Sequence, residues 1–239
     1  MKRLIVILLC SSVLFASCDF VHGKRIKGSG NVVTQTRSMT GFTAIEAGGA
    51  VNVFVKQDAA FSVQVKVDDN LQQYVSVEVE NGVLQIHQQN NTSLQTTDDI
   101  KVYVSLPSLN DLVVSGASNV TGENTFTGEA IQINLSGASH ADIKLDFPNV
   151  SAELSGASTA TLSGKTKNIK LNATGASTIK AFELFSETAV VELSGASEAN
   201  VFASLKLDAG ASGASNVRYK GDATVNKSES GAGSVSKAD

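Results

Sequence analysis

Glu153 and Glu192 each stand three positions before a repeated glycine, and they are the best-placed carboxylates in the sequence for acid–base chemistry. Cleavage of a glycosidic bond takes two carboxyl groups about 5 to 9.5 Å apart. Two rungs of a stacked strand array would set this pair roughly 9.6 Å apart. A general acid also needs a raised pKa, and the segments beside them, such as 163–168, are too short and small to bury one. The pair therefore reads as part of a solvated face. His22, His87 and His140 are scattered without paired ligand spacing, and the Asp-bearing, Gly-rich nonapeptide of calcium-binding β-rolls is missing. No metal or other cofactor is expected. Serine is abundant, but no histidine recurs beside it, and the glycines open strands rather than helices. Neither a nucleophilic triad nor a phosphate cradle is indicated, and the chain is expected not to be an enzyme.

Binding is the chemistry left open. Three positions after successive repeat glycines stand Asn119, His140, Thr159, Thr178, Glu198 and Asn216, a variable polar stripe that suits an extended glycan or a protein. A hydroxyl precedes nearly every repeat glycine and a serine follows two places later, giving two ladders of hydroxyls. Because every unit carries the same residues there, these ladders read as stacked side chains satisfying backbone groups. There is no Trp, and the tyrosines are Tyr74, Tyr103 and Tyr219.

These residues take their positions from a repeat. Ser115-Gly116-Ala117-Ser118 returns, with Thr174 for the first Ser in one copy, from positions 136, 155, 174, 194 and 212, and in degenerate form from 230. The starts lie 21, 19, 19, 20, 18 and 18 residues apart. A period of about 20 residues marks a solenoid whose units bury their apolar faces only by stacking. Two before the glycine come Val114, Leu135, Leu154, Ala173, Leu193 and Ala211; four before come Leu112, Ile133, Ala152, Leu171, Val191 and Ala209; four after come Val120, Ala141, Ala160, Ile179, Ala199, Val217 and Val235. Apolar columns separated by polar residues predict short strands with one inward face. They turn at corners made by Gly116, Gly137, Gly156, Gly175, Gly195, Gly213 and Gly231, where a side chain would crowd the next coil. The fold class expected is all-β, a parallel β-helix-like solenoid over residues 112–239. Lys227 and Glu229 fall in inward columns of the last coil and read as a polar cap on an open edge.

Residues 30–109 lack the tetrapeptide but alternate as strands at 50–56, 61–67, 75–80 and 83–87, with Asn81-Gly82 a strong hairpin signal. Gly48-Gly49-Ala50 reads as a diverged corner, and residues 88–99 as an exposed loop. Residues 30–239 are expected to form a single domain. The 239 residues carry 42% hydrophobic and 18% charged side chains, with 20 Gly and 2 Pro, as a folded, glycine-turned β protein would. A net charge of −4 argues against nucleic acid as a partner.

The amino terminus reads as an export signal over residues 1–17: Lys2 and Arg3, then an apolar run from Leu4 to Phe15 too short to span a bilayer. Ala16-Ser17-Cys18 resembles a lipobox, in which small residues precede a cysteine that receives a diacylglyceryl group. Cys10 leaves with the signal, so Cys18 would be the mature chain's sole thiol and its lipid-bearing first residue. Residues 18–29 are expected to be a lipid-proximal tether. The expected address is the bacterial cell envelope, as an exported lipoprotein anchored to the outer membrane and facing either the periplasm or the cell surface.

With a GSGN entry at Gly28 to Asn31, the phrase GFTAIEAGGAVNVFV at Gly41 to Val55, the NGVLQI hairpin and the serial SGAS corners, the sequence resembles the head GIN domain family of putative auto-transporter adhesins, a domain of unknown function. The resemblance implies a β-helix-like fold in envelope proteins and supplies no catalytic residues. The function expected is a non-catalytic adhesin-like or scaffold module binding protein or glycan through its outward face. The alternatives are a polysaccharide lyase or hydrolase, and a periplasmic envelope-stress or assembly component.

Overall fold

A residue that alternates in and out along a strand can hide its apolar half only if another strand layer lies against it, and here that layer is the chain's own next turn. The computed structural model describes residues 24–238. The signal segment and Cys18 lie outside the described residues. The solenoid has about 7 turns of roughly 19-residue coils.

From Asp111 onward each coil lies parallel on the one before, in register. Leu112, Ile133, Ala152, Leu171, Val191 and Ala209 form one file, and Val114, Leu135, Leu154, Ala173, Leu193 and Ala211 a second. Val120, Ala141, Ala160, Ile179, Ala199, Val217 and Val235 form a third. All three files are buried, as their apolar character requires. The corner between them is set by glycine. Its φ lies between 66° and 76° at all seven positions, a left-handed conformation that only glycine adopts without strain. A Cβ on Gly156 would also lie 2.6 Å from the Gly137 carbonyl oxygen, because the corners pack backbone on backbone. The amides of Ala138, Ala157, Ala176, Ala196 and Ala214 donate to the carbonyl of the glycine in the coil below at 2.7 or 2.8 Å.

The first hundred residues extend this column in an order the sequence does not reveal. Ala44–Ala47 pairs parallel with Asp111–Val114 on one edge and Val83–Gln88 on the other. Asn52–Gln57 likewise lies between Asn119–Thr127 and Lys101–Leu106. Gly48-Gly49-Ala50 is thus a true corner, with Gly49 at φ 79° directly under Gly116. After Gln57 the chain leaves the column, builds a cap and returns beneath its own first coil. The cap is antiparallel: Ser62–Asp68 pairs with both Val32–Arg37 and Lys101–Leu106, and Val75–Glu80 with Val83–Gln88 through the expected Asn81-Gly82 turn. Turning the end strands back in this way covers an edge that would otherwise offer free backbone groups. At the opposite end the Lys227 ammonium lies 3.4 Å from Glu229 Oε1, which accepts the Val235 amide at 2.6 Å, so the last inward positions are occupied by a satisfied polar pair.

Two expectations are corrected. Lys24–Lys27, read as tether, is a strand paired parallel with Thr92–Gln95, which falls in the segment read as loop. Only Ile26 and Leu94, opposite each other in this small sheet, pack on the core, so neither segment has a long enough apolar period to announce a strand. The GSGN entry is fixed by two carboxylates. Asp68, fully buried, accepts the Gly30 amide at 2.9 Å, the Thr97 amide at 2.9 Å and the Thr97 hydroxyl at 2.7 Å. Asp69 accepts the Ser29 hydroxyl and the Asn31 amide group. The Thr97 amide above all, then its hydroxyl and the Gly30 amide, hold the Asp68 carboxyl below the usual carboxylate range, against burial, which acts the other way.

Gly156→Ala is expected to destabilise the protein by about 2 to 4 kcal/mol, from the left-handed backbone and the contact with Gly137. Ala157→Ser, at the same corner but exposed, should change stability by less than about 0.5 kcal/mol; urea unfolding of both variants checks the difference. Since the folded-state pKa of Asp68 is depressed, its stabilisation is complete above pH about 4 and is lost as pH falls through the folded value. Asp68→Asn should melt below wild type at neutral pH, with the gap closing under acid conditions, as thermal melts across that pH range would show.

Candidate functional site

Because the rungs are in register, side chains that point outward also form files, and these files carry regular chemistry along the column. The serine two places after each corner glycine is not among them. Ser118, Ser139, Ser158, Ser177, Ser197 and Ser215 are buried. Within its own coil each of the last four donates to the carbonyl of the residue before the glycine, at 2.8 to 3.0 Å. This ladder closes the corner and leaves no free hydroxyl for a ligand.

The polar stripe exists as a continuous file. Asn119, His140, Thr159, Thr178, Glu198 and Asn216 stand opposite one another on successive rungs. Asn119 donates to Asn52 in the coil below at 2.8 Å, and Ser234 in the last coil donates to Asn216 at 3.0 Å. Both ends of the file are therefore partly occupied by the protein's own amides and hydroxyls.

The surface before the corner is richer. Gln132, Ser151, Lys170 and Val190 make one outward file and Asn134, Glu153, Asn172 and Glu192 the next. At its margin Asn168 donates to Asn149 at 2.9 Å and Thr188 donates to Asn168 at 2.7 Å, an amide–hydroxyl chain up three coils. This face carries a hollow of about 910 Å³ beside the amide chain and a smaller one of about 280 Å³ beside Glu153. Glu153 and Glu192 are separated by the Asn172 rung, as their spacing predicts, and both are exposed. The carboxyl raised by burial belongs instead to Asp111, one rung below Gln132, where Oδ1 has no partner among the described residues. Among the described residues no three His, Cys, Asp or Glu side chains stand close enough to hold a metal ion.

A third feature was not legible through Trp and Tyr. Phe185, 53% exposed, meets Phe202 edge to face with ring centroids 5.0 Å apart. The coil bearing Phe185 has one more residue than the coil below it between the rungs at Thr161 and Gly164, and the next coil is shorter; the resulting bulge pushes the ring outward. A hollow of about 400 Å³ opens beside the two rings. The signal available in the sequence was the run Phe182-Glu183-Leu184-Phe185, placed where the repeat length departs from 19.

The family model described as "Putative auto-transporter adhesin, head GIN domain" matches residues 41–223. Among solved structures, a putative lipid binding protein from Parabacteroides distasonis is 25% identical, with a TM-score of 0.78 over 90% of this chain and 100% of that one. A putative adhesin from Bacteroides fragilis is 23% identical, with a TM-score of 0.82 over 89% and 100%. A putative adhesin from Parabacteroides distasonis is 25% identical, with a TM-score of 0.72 over 90% and 100%. No curated protein matches the chain.

Proposed function

The chain belongs to the putative auto-transporter adhesin, head GIN domain family, and we propose that it is a non-catalytic, adhesin-like module of the cell envelope that holds an extended glycan against its outward face. The observation that carries this reading is the 910 Å³ hollow, whose mainly apolar lining from Ile131, Val150, Ile169 and Val190 is set among the amide, hydroxyl and ammonium groups of Gln132, Ser151, Lys170, Asn149 and Asn168. A polyhydroxylated chain lying along the column meets a polar side chain on each of three successive rungs, Gln132, Ser151 and Lys170, about 4.8 Å apart, and the apolar Val190 on the next. The hollow is open, which suits holding a polymer by many weak contacts more than enclosing a reacting bond. The family's description as putative adhesins, and the similarity to a putative adhesin from Parabacteroides distasonis, agree with this role. The proposed address is the outer membrane, through a diacylglyceryl group on Cys18; two or three acyl chains of this kind suffice for stable anchoring.

Polysaccharide cleavage is the second reading, and the observation favouring it is Asp111, with its raised carboxyl and with Glu46 diagonally across the neighbouring rung.

Purified full chain should bind one or more linear neutral hexasaccharides without degrading them. Gln132→Ala and Lys170→Ala should each weaken binding severalfold at unchanged melting temperature, while Thr159→Ala in the stripe should not. Titration calorimetry with product analysis by mass spectrometry reads both. Absence of binding overturns the proposal, and shortened products move the assignment to cleavage at Asp111. Cys18→Ala should abolish fatty-acid labelling and move the protein from the membrane to the soluble fraction.

A further inference from the structure

The hollow beside Phe185 has a composition unlike the rest of the surface. Its floor is Phe147, fully buried, and its wall is the Phe185–Phe202 pair. Its rim is charged in both senses: the Lys165 ammonium lies 3.2 Å from the Asp146 carboxylate, and Lys167 and Glu187 flank them. The polar atoms deeper in are already used. Thr166 donates to Pro148 and Asn168 carbonyls at 3.2 and 3.1 Å, and Ser204 donates to the Ser186 carbonyl at 3.2 Å. What remains free is the apolar surface of Phe185 and Phe202, ringed by donors and acceptors.

That combination selects a ligand class. A pyranose ring has one C–H face that packs on an aromatic ring, and hydroxyls around its edge that both donate and accept. An acyl chain would cover the rings but leave four charged groups desolvated against hydrocarbon, which is costly. An extended peptide would add by strand pairing, and the backbone here is already paired on both sides, Lys165 with Phe185 and Phe185 with Phe202. The site is also continuous with the larger hollow. Pro148, Lys167 and Glu187 line this one, and the residues that follow them, Asn149, Asn168 and Thr188, line the other.

We infer that the Phe185–Phe202 hollow is a sugar-ring subsite, where a glycan lying in the larger hollow turns over the corner and stacks one pyranose on Phe185. The inference rests on the glycan reading proposed above and adds the anchor point to it. Lys165, Asp146, Lys167 and Glu187 bind the ring hydroxyls, and Phe185 supplies the apolar contact.

Titration of the full chain with cellohexaose, mannohexaose and chitohexaose tests the subsite. For a hexaose that binds wild type, Phe185→Ala and Phe185→Leu should each weaken binding about tenfold, and Phe185→Tyr, which keeps the ring, should restore it. Because Phe185 is half exposed, all three variants should melt within a few degrees of wild type. Saturation-transfer NMR should place ring protons of one terminal sugar against phenylalanine. Binding by wild type that is indifferent to Phe185→Ala overturns the subsite and leaves the glycan reading standing. Full binding by Phe185→Leu also overturns it, since bare apolar area would then suffice. No binding of any hexaose by wild type overturns both.

Discussion

Each corner glycine from Gly116 to Gly231 sits in a left-handed conformation, and from Gly137 to Gly213 the preceding corner's backbone lies against it at a distance that admits no Cβ. The alanine amide that follows it bonds the carbonyl of the glycine below, so the corner fixes both the spacing of the coils and their register. Everything else is downstream of that contact. Period-2 alternation decides which side chains point inward, but only register makes the inward ones a continuous apolar core and the outward ones continuous files. The buried serine that bonds back across the corner removes the hydroxyl and carbonyl that would otherwise be left unpaired inside the column.

The parts of the fold governed by the corner were readable from the residues. Val114 through Ala211 and Val120 through Val235 could be aligned on their glycines and assigned inward, and the structure buries every one. The diverged corner at Gly48-Gly49 was visible for the same reason, and Asn81-Gly82 because a type I′ turn demands residues that tolerate positive φ. What escaped the sequence was non-local. Nothing in Ala44–Ala47 states that its two neighbours will be Asp111–Val114 and Val83–Gln88, since parallel pairing leaves no local signature. Lys24–Lys27 and Thr92–Gln95 are recognisable as strands only together, because each offers a single apolar residue to the core.

The candidate site divides in the same way. Membership of each outward file follows from spacing, so the stripe from Asn119 to Asn216 and the separation of Glu153 from Glu192 were both legible. Curvature was not. Which face is hollow depends on how the coils turn between corners, and the 910 Å³ hollow lies on the face before the corner, away from the stripe. The exposed Phe185 arises from a one-residue mismatch between adjacent coils, a defect in the repeat that an alignment on glycine averages away. Irregularity in a regular array is where a distinct surface can appear, because identical rungs can offer only identical contacts.

If successive rungs of this face together hold an extended chain, affinity must depend on ligand length. Five coils line the main hollow, from Asn110 to Val190, a span of about 19 Å. For a series of linear oligosaccharides from one sugar to eight, measured by calorimetry, affinity should climb with each added unit until the chain spans those coils and should then level off. An affinity already complete for a single sugar would contradict the ladder, as would no binding at any length.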